Sequence, residues 1–258
     1  MKDFVVTTSF KTDPEKLAEA VALANAFQVP YLERGKASIR RIIGDKEGAL
    51  VVYKDKLLFR SNTGETLSFH PDTAMLRIKA PRDPLSELIG SSPFQILDTT
   101  MGLASDSIVM AYAGHQVTAL ESDPLIHLIV SQGLKRFVSG NDQIDHAMRR
   151  IKTQCVDSLA FLKAAPDQSV DVIYCDPMFS ENITESENLS GLASLANPAR
   201  MTPEFLAEAK RVARQKIILK AHFKDSSFET LGFDRLVRPN TKFHFGVIDV
   251  SSTRLSQS

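Results

Sequence analysis

From Pro93 onward, apolar runs of strand length alternate with helical runs, and that alternation restricts the chain to a parallel sheet covered by helices. The first step of the pattern is the most specific. Phe94-Gln95-Ile96-Leu97 reads as a short buried strand, Asp98 to Asp106 as a small-residue turn, and Ser107 to Ala113 as a helix. Gly102 permits close backbone approach, Ser105 or Asp106 is placed to cap the helix, and Gly114 stands where a glycine ends one. A second strand, Gln116 to Leu120, closes on Glu121-Ser122-Asp123, and Pro124 opens the next helix. An acid ending the second strand, about 20 residues after a glycine turn, is the ribose-binding arrangement of nucleoside-cofactor folds.

A later strand, Val170 to Cys175, ends in Asp176-Pro177-Met178-Phe179. A carboxylate and a carbonyl held by proline can accept both N–H bonds of a planar amine, while an aromatic ring stacks on the heterocycle that carries it. The plainer alternative is a strand stopped by proline, with the phenylalanine in the core.

Further helices are expected over Pro124 to Phe137, about Asp142 to Arg150, Ser158 to Ala164 and Pro203 to Arg214. Further strands are expected over Lys152 to Cys155 and Ile217 to Ala221, with a terminal pair, Phe233 to Val237 and Phe243 to Val250. Asp98, Glu121, Asp157 and Asp176 then all fall at or just beyond the carboxyl ends of strands, where open α/β sheets bind ligands. Phe137, Phe161 and Phe205 read as core.

Residues 1 to about 90 follow another pattern, a small α+β domain with a possible role in substrate recognition. Val5 to Thr8 reads as a strand, and Asp13-Pro14 starts a helix to Phe27 with Leu17, Val21 and Ala24 on one face. Ala49 to Tyr53 and Lys56 to Arg60 read as a hairpin and Met75 to Ala80 as a strand, before Pro81, Pro84 and Gly90 mark a junction.

The 258 residues carry zero formal net charge, which argues against binding nucleic acid by bulk electrostatics. Distribution matters more than the sum. Residues 31 to 60 hold eight Lys/Arg against four Asp/Glu, and residues 200 to 242 hold ten against five. Arg34, Lys36, Arg40 and Arg41, with Arg77 and Lys79, are candidate phosphate contacts, although local clusters of this size are also ordinary surface. Apolar runs stay far below ~18 residues and the N-terminus lacks signal-peptide architecture, so a cytoplasmic protein without a membrane partner is expected. Cys155 and Cys175 sit at the ends of two expected buried strands; free thiols are favoured over a disulfide, and two cysteines without nearby histidines make no zinc site.

The motifs together resemble the class I S-adenosylmethionine-dependent methyltransferases, and within them the RsmJ family of small-subunit ribosomal RNA guanine-N2 methyltransferases. The resemblance is clearest from Ile96 to Phe179 and fainter over Lys216 to His222 and Lys242 to Val250. In two places the chain departs from it: Ala104 replaces the pattern's second turn glycine and Ser105 the following basic residue, and the Gly-rich basic stretch before the first core strand is missing. The implied fold is a doubly wound, mostly parallel seven-stranded sheet of Rossmann-like form. The implied cofactor is S-adenosylmethionine, with Asp98, Thr100, Gly102, Ser105, Asp106, Glu121, Ser122, Asp157, Ser158 and Asp176 as its candidate contacts. Asp176, Pro177, Met178 and Phe179 are the candidate catalytic residues, and Arg40, Arg41, Arg77, Lys79 and Lys220 the candidate contacts to ribosomal RNA or the small subunit. The resemblance implies no metal. Two rivals stand beside this reading: an amino methyltransferase acting on adenine or on protein glutamine, and a non-catalytic module that binds RNA or a nucleoside.

Overall fold

Val5 and Val6 are almost wholly buried, so the strand they form, β1 (Phe4–Thr8), needs cover on both faces. It lies parallel to β2 (Gly48–Val52), which pairs antiparallel with β3 (Leu57–Ser61), and β3 in turn with β4 (Thr66–Ser68). The hairpin expected between β2 and β3 is present, with Val52 opposite Leu57. Gly48 is required there, because a Cβ would stand 2.4 Å from the Phe59 ring. The structure, a computed structural model, describes residues 3–177, 201–239 and 241–251. Met178 and Phe179 therefore lie outside the described residues.

Asp13 caps α1 (Pro14–Phe27) by accepting from Lys16 N, and Pro14 takes the first helical position. The buried face of α1 is narrower than expected. Ala20 and Ala24 bring it against β1, whereas Leu17 and Val21 are more than a third exposed, since two alanines let backbones approach where leucine and valine would hold them apart. A second helix, α2 (Ile39–Ile43), carries Arg40 and Arg41. Residues 128–137 belong to the same compact unit as residues 3–70. There Gly133 lies against Phe69 so closely that a Cβ would stand 2.1 Å from Phe69 Cγ, and Arg136 pairs with Glu19 at 2.7 Å.

The second unit begins at Pro71. Met75 to Ala80, expected as a strand, lies instead almost wholly within a helix, α3 (Asp72–Lys79). Ala74 is buried while Leu76 is 71% exposed; a strand would have put both on one face. The expected junction also carries a helix, α4 (Pro84–Ile89), capped by Asp83 and ended by Gly90 in a left-handed conformation.

The alternating part folds as β5 (Gln95–Asp98), α5 (Ser105–Tyr112), β6 (Gln116–Glu121), α6 (Pro124–Arg136), α7 (Asp142–Arg150), β7 (Lys152–Cys155), α8 (Ser158–Ala164), β8 (Val170–Cys175), α9 (Pro203–Val212), β9 (Ala213–His222), α10 (Ser227–Thr230), β10 (Asp234–Leu236) and β11 (Phe243–Asp249). The seven strands form one sheet in the order β10-β11-β9-β8-β5-β6-β7, and only β11 runs against the rest. This is the doubly wound, mostly parallel sheet that the sequence implies. The helix α9 is shorter than expected and the strand β9 after it longer, because Ala213 already pairs with Val170 and Arg214 is drawn to Asp171 at 2.7 Å. The strand β7 is not a buried one: it forms the sheet edge, and Cys155 is exposed. β5 and β6 stand between β7 and β8, so at about 4.8 Å per strand Cys155 and Cys175 are far too distant to bond, and both are free thiols. Among the described residues no helix is long and apolar enough to cross a membrane.

Candidate active site

The winding of the sheet reverses at β5. The chain runs outward from β5 to β6 and β7, then returns past β5 to β8 and β9, which opens a crevice beyond the carboxyl ends of β5 and β8. Asp98 ends β5, Glu121 ends β6, Asp176 follows β8, and Asp157 follows β7 by two residues.

Asp98 is buried. One carboxylate oxygen accepts from Thr100 N at 3.0 Å and the other from Ser107 Oγ at 2.5 Å. Desolvation pushes its carboxyl up to about 7, because these two bonds and the absence of a paired cation among the described residues leave the charge poorly compensated. In the turn that follows, Gly102 and Ala104 have φ of 49° and 62°, the left-handed region. Ala104 occupies the cap position of α5 and no side chain caps that helix, so neither Ser105 nor Asp106 serves as the expected cap. Where the pattern it resembles has glycine, this chain thus holds alanine in a conformation that glycine adopts freely.

Glu121 is braced from two sides, by Gly102 N at 3.3 Å and by Asp123 N at 2.9 Å. Burial raises its pKa above the ordinary value in spite of those bonds. Ser122 beside it is exposed. Asp157 is exposed and caps α8 through Ala160 N at 2.9 Å, the structural role a residue there can fill without any ligand; Ser158, next along, is half-buried.

Asp176 joins the two halves of the crevice. Its backbone N–H donates to Thr100 Oγ1 at 2.7 Å, tying the end of β8 to the turn after β5. Its carboxylate receives Lys220 Nζ, from β9, at 2.6 Å. The same ammonium reaches Asp106 at 3.1 Å, and Asp106 also receives the Arg77 guanidinium, which holds Asp83 at 2.8 Å. Three carboxylates thus share two cations, which leaves a net charge of −1 in the cluster. Lys220 and Arg77 hold Asp106 well below the usual carboxylate range, although its burial opposes them. For Asp176 burial is the stronger influence and lifts the carboxyl, with Lys220 working against it. The Tyr174 hydroxyl, enclosed near the same carboxylates, has its ionisation pushed well above normal by burial.

Arg77 and Lys220 are therefore engaged with carboxylates, whereas Lys79 on α3 and Arg40 and Arg41 on α2 are exposed. Arg34 is buried, bonds the Ala37 carbonyl and covers the Phe10 ring at 3.6 Å. No local motif marks Asp83, Ser107 or Thr99, whose partners Arg77, Asp98 and Tyr174 are set by the fold of the segments between them. Among the described residues no cluster of side chains is placed to hold a metal ion.

Residues 85–229 match the model of a protein family described as "Putative SAM-dependent methyltransferase". The uncharacterized protein YpiP of Bacillus subtilis is 34% identical over 256 residues, covering 96% of this chain and all of that protein. Ribosomal RNA small subunit methyltransferase J of Thioalkalivibrio sulfidiphilus is 30% identical over 152 residues, or 56% of this chain and 59% of that enzyme. The enzyme of the same name from Marinobacter nauticus is 39% identical over 88 residues, 34% of this chain and 31% of the enzyme. Against these two the match spans only part of their length. A SAM-dependent methyltransferase from Neisseria gonorrhoeae shares the fold over 95% of both chains, with a TM-score of 0.61 at 18% identity.

Proposed function

Because this chain belongs to the S-adenosylmethionine-dependent methyltransferase family and takes that cofactor, we propose that it methylates an exocyclic amine of a nucleobase, specifically guanine N2 in small-subunit ribosomal RNA. The observation that carries the reading is Asp176-Pro177 at the mouth of the crevice, with a carboxylate that belongs to a cluster of net charge −1. On this reading the protein works in the cytoplasm, on RNA or an assembled subunit.

The donor chemistry of the crevice fits S-adenosylmethionine. Asp98, buried with no paired cation among the described residues, complements an ammonium group, and the first turn of α5, which no side chain among those residues caps, presents amides that complement a carboxylate. Glu121, already held by two backbone amides, keeps lone pairs for the hydroxyls of a ribose. Thr100, Ser105, Ser122, Asp157 and Ser158 are proposed as further contacts around it. When bound, the cofactor supplies an activated methyl group. The protein's part is to orient the amine and to meet the charge that develops on it. The Asp176 carboxylate and the Pro177 carbonyl accept the two N–H bonds, so that the nitrogen lone pair is fixed in direction, and the surplus negative charge stabilises positive charge growing on that nitrogen. The amine's proton then passes to water or to Asp176.

Incubation of the protein with small-subunit ribosomal RNA and methyl-labelled cofactor, followed by nucleoside digestion and mass analysis, tests the reading: N2-methylguanosine is expected. Label in methyladenine or in protein glutamine would reassign the substrate, and no transfer in a cofactor-binding protein would favour a non-catalytic module.

Replacement of Glu121 by Ala should weaken cofactor binding by about 1.5–3 kcal/mol, the scale of a lost charged hydrogen bond, while the fold persists. An unchanged dissociation constant by calorimetry would remove Glu121 from the pocket. Arg40 and Arg41 are proposed as phosphate contacts in the first unit. Their double alanine variant should bind RNA more weakly, with a slope of log K against log salt shallower by about 1–2, and should bind the cofactor as before. A parental slope would return both to ordinary surface.

A further inference from the structure

We infer that His222, Phe223 and Phe243 form a stacking platform for an unpaired base of single-stranded RNA, a surface that rests on the RNA reading above and deepens it. His222 ends β9, so it lies on the same rim of the sheet as Asp98, Glu121 and Asp176, one strand beyond β8. Phe243 pairs with it across the ladder, and Phe223 follows it in the chain. The His222 ring stands 4.6 Å from that of Phe223 and 6.1 Å from that of Phe243 between centroids. Both phenylalanines are more than 40% exposed, which is costly for large apolar rings and ordinary for rings that receive a flat ligand.

Two further observations decide what that ligand is. A cation stands beside the rings: Lys224 Nζ, on an exposed residue, lies 5.7 Å from the Phe223 centroid, so a base on the platform would carry its phosphate next to positive charge, while Lys220 Nζ, held by Asp176 and Asp106, lies 5.8 Å from the Phe243 centroid. Lys220 is also the ammonium that holds Asp176 at 2.6 Å, and this places the platform beside the group proposed to receive the amine. The backbone that carries Phe223 is fixed in advance as well. Arg235 donates to the Phe223 carbonyl, and Phe223 N–H donates to the Lys242 carbonyl at 2.9 Å, so little backbone freedom remains to be lost on stacking. Unpaired bases stack on aromatic faces, whereas a duplex hides its faces and presents phosphates, so single strands or splayed nucleotides are the matching class.

The test measures binding of a fluorescein-labelled single-stranded oligoribonucleotide and of its duplex, cofactor affinity by calorimetry, and thermal unfolding. Phe223→Ala and Phe243→Ala should each weaken single-strand binding about 10-fold with cofactor affinity unchanged, and Phe243→Tyr should keep it. Lys224→Ala should reduce the salt slope instead, while Val138→Ala, at an exposed apolar position, should change nothing. Parental single-strand affinity in folded Phe223→Ala and Phe243→Ala variants would overturn the platform, as would an equal loss for duplex. The two readings fail separately. A protein that methylates RNA at the parental kcat/KM without these rings disproves the platform alone; one that binds single strands through them yet transfers no methyl group to RNA disproves the proposed substrate alone.

Discussion

Asp176→Asn is expected to transfer methyl groups about 10²-fold more slowly or worse, while its affinity for S-adenosylmethionine changes far less. Asparagine keeps the size of aspartate and one acceptor oxygen. It removes the charge, so the cluster with Arg77, Asp83, Asp106 and Lys220 becomes neutral, and nothing remains to meet positive charge growing on the amine nitrogen. Its NH₂ group must also face either Lys220 or the incoming amine, a donor against a donor. Single-turnover rates at saturating cofactor and RNA measure the effect. A parental rate in a folded, cofactor-binding variant would leave Asp176-Pro177 as no more than the end of a strand.

Lys220→Met should act on stability and on rate together. Lys220 and Asp106 are about 22% and 11% exposed at the side chain, and removal of the ammonium takes from Asp176 the cation that pairs with it and leaves Asp106 to share the Arg77 guanidinium with Asp83. The cost should be about 2–4 kcal/mol, toward the lower end for a broken buried pair because Asp176 is 27% exposed. The signs with pH follow from the two partners. Asp106 is depressed from its ordinary 3.8, so its contribution is present above that value and lost as pH falls through the folded value. Lys220 is raised from 10.5, so its contribution is present below that value and lost as pH rises through the folded one. Between those limits the parent has both, and the variant should be weaker throughout. Without Lys220 the desolvation of Asp176 has less opposition, so the acidic limb of the pH–rate profile should move upward. Urea unfolding and a pH–rate series are the measurements; parental values in both would reduce Lys220 to a bystander.

The steps legible in the sequence were those whose signals lie within a few residues of each other. The strand, turn and helix from Gln95 to Tyr112 announce themselves by apolar runs and glycines, and Glu121 follows at a fixed offset because β6 must return to pair beside β5. The acids collect at one rim because parallel strands all end on the same side. What stayed hidden is the ion-pair cluster. Lys220 lies 44 residues from Asp176 and 114 from Asp106, distances over which a single sequence carries no pairing signal. Arg77 was obscured by a local ambiguity: Met75-Leu76-Arg77-Ile78-Lys79 alternates like a strand, and only the packing of α3 against α5 decides for a helix. Once helical, Arg77 reaches Asp83, six residues on, and Asp106. The same limit applies to Arg77 and Lys220 as candidate phosphate contacts, since nothing local reveals that a basic side chain already has a carboxylate.

The first unit is discontinuous in the chain, and this has a bearing on biosynthesis. Residues 3–70 leave the ribosome well before 128–137, yet Phe69 packs against Gly133 and Phe137, and Glu19 pairs with Arg136. Until that later stretch emerges, the flank around Phe69 lacks the cover of Gly133 and Phe137 and the first unit is an incomplete nascent intermediate, open to proteases and to chaperones. A fragment cut after His70 would inherit the same defect permanently, and the remainder would carry an orphaned helical segment. The first unit thus closes only after residues 128–137 have been made, not as soon as its first 70 residues emerge.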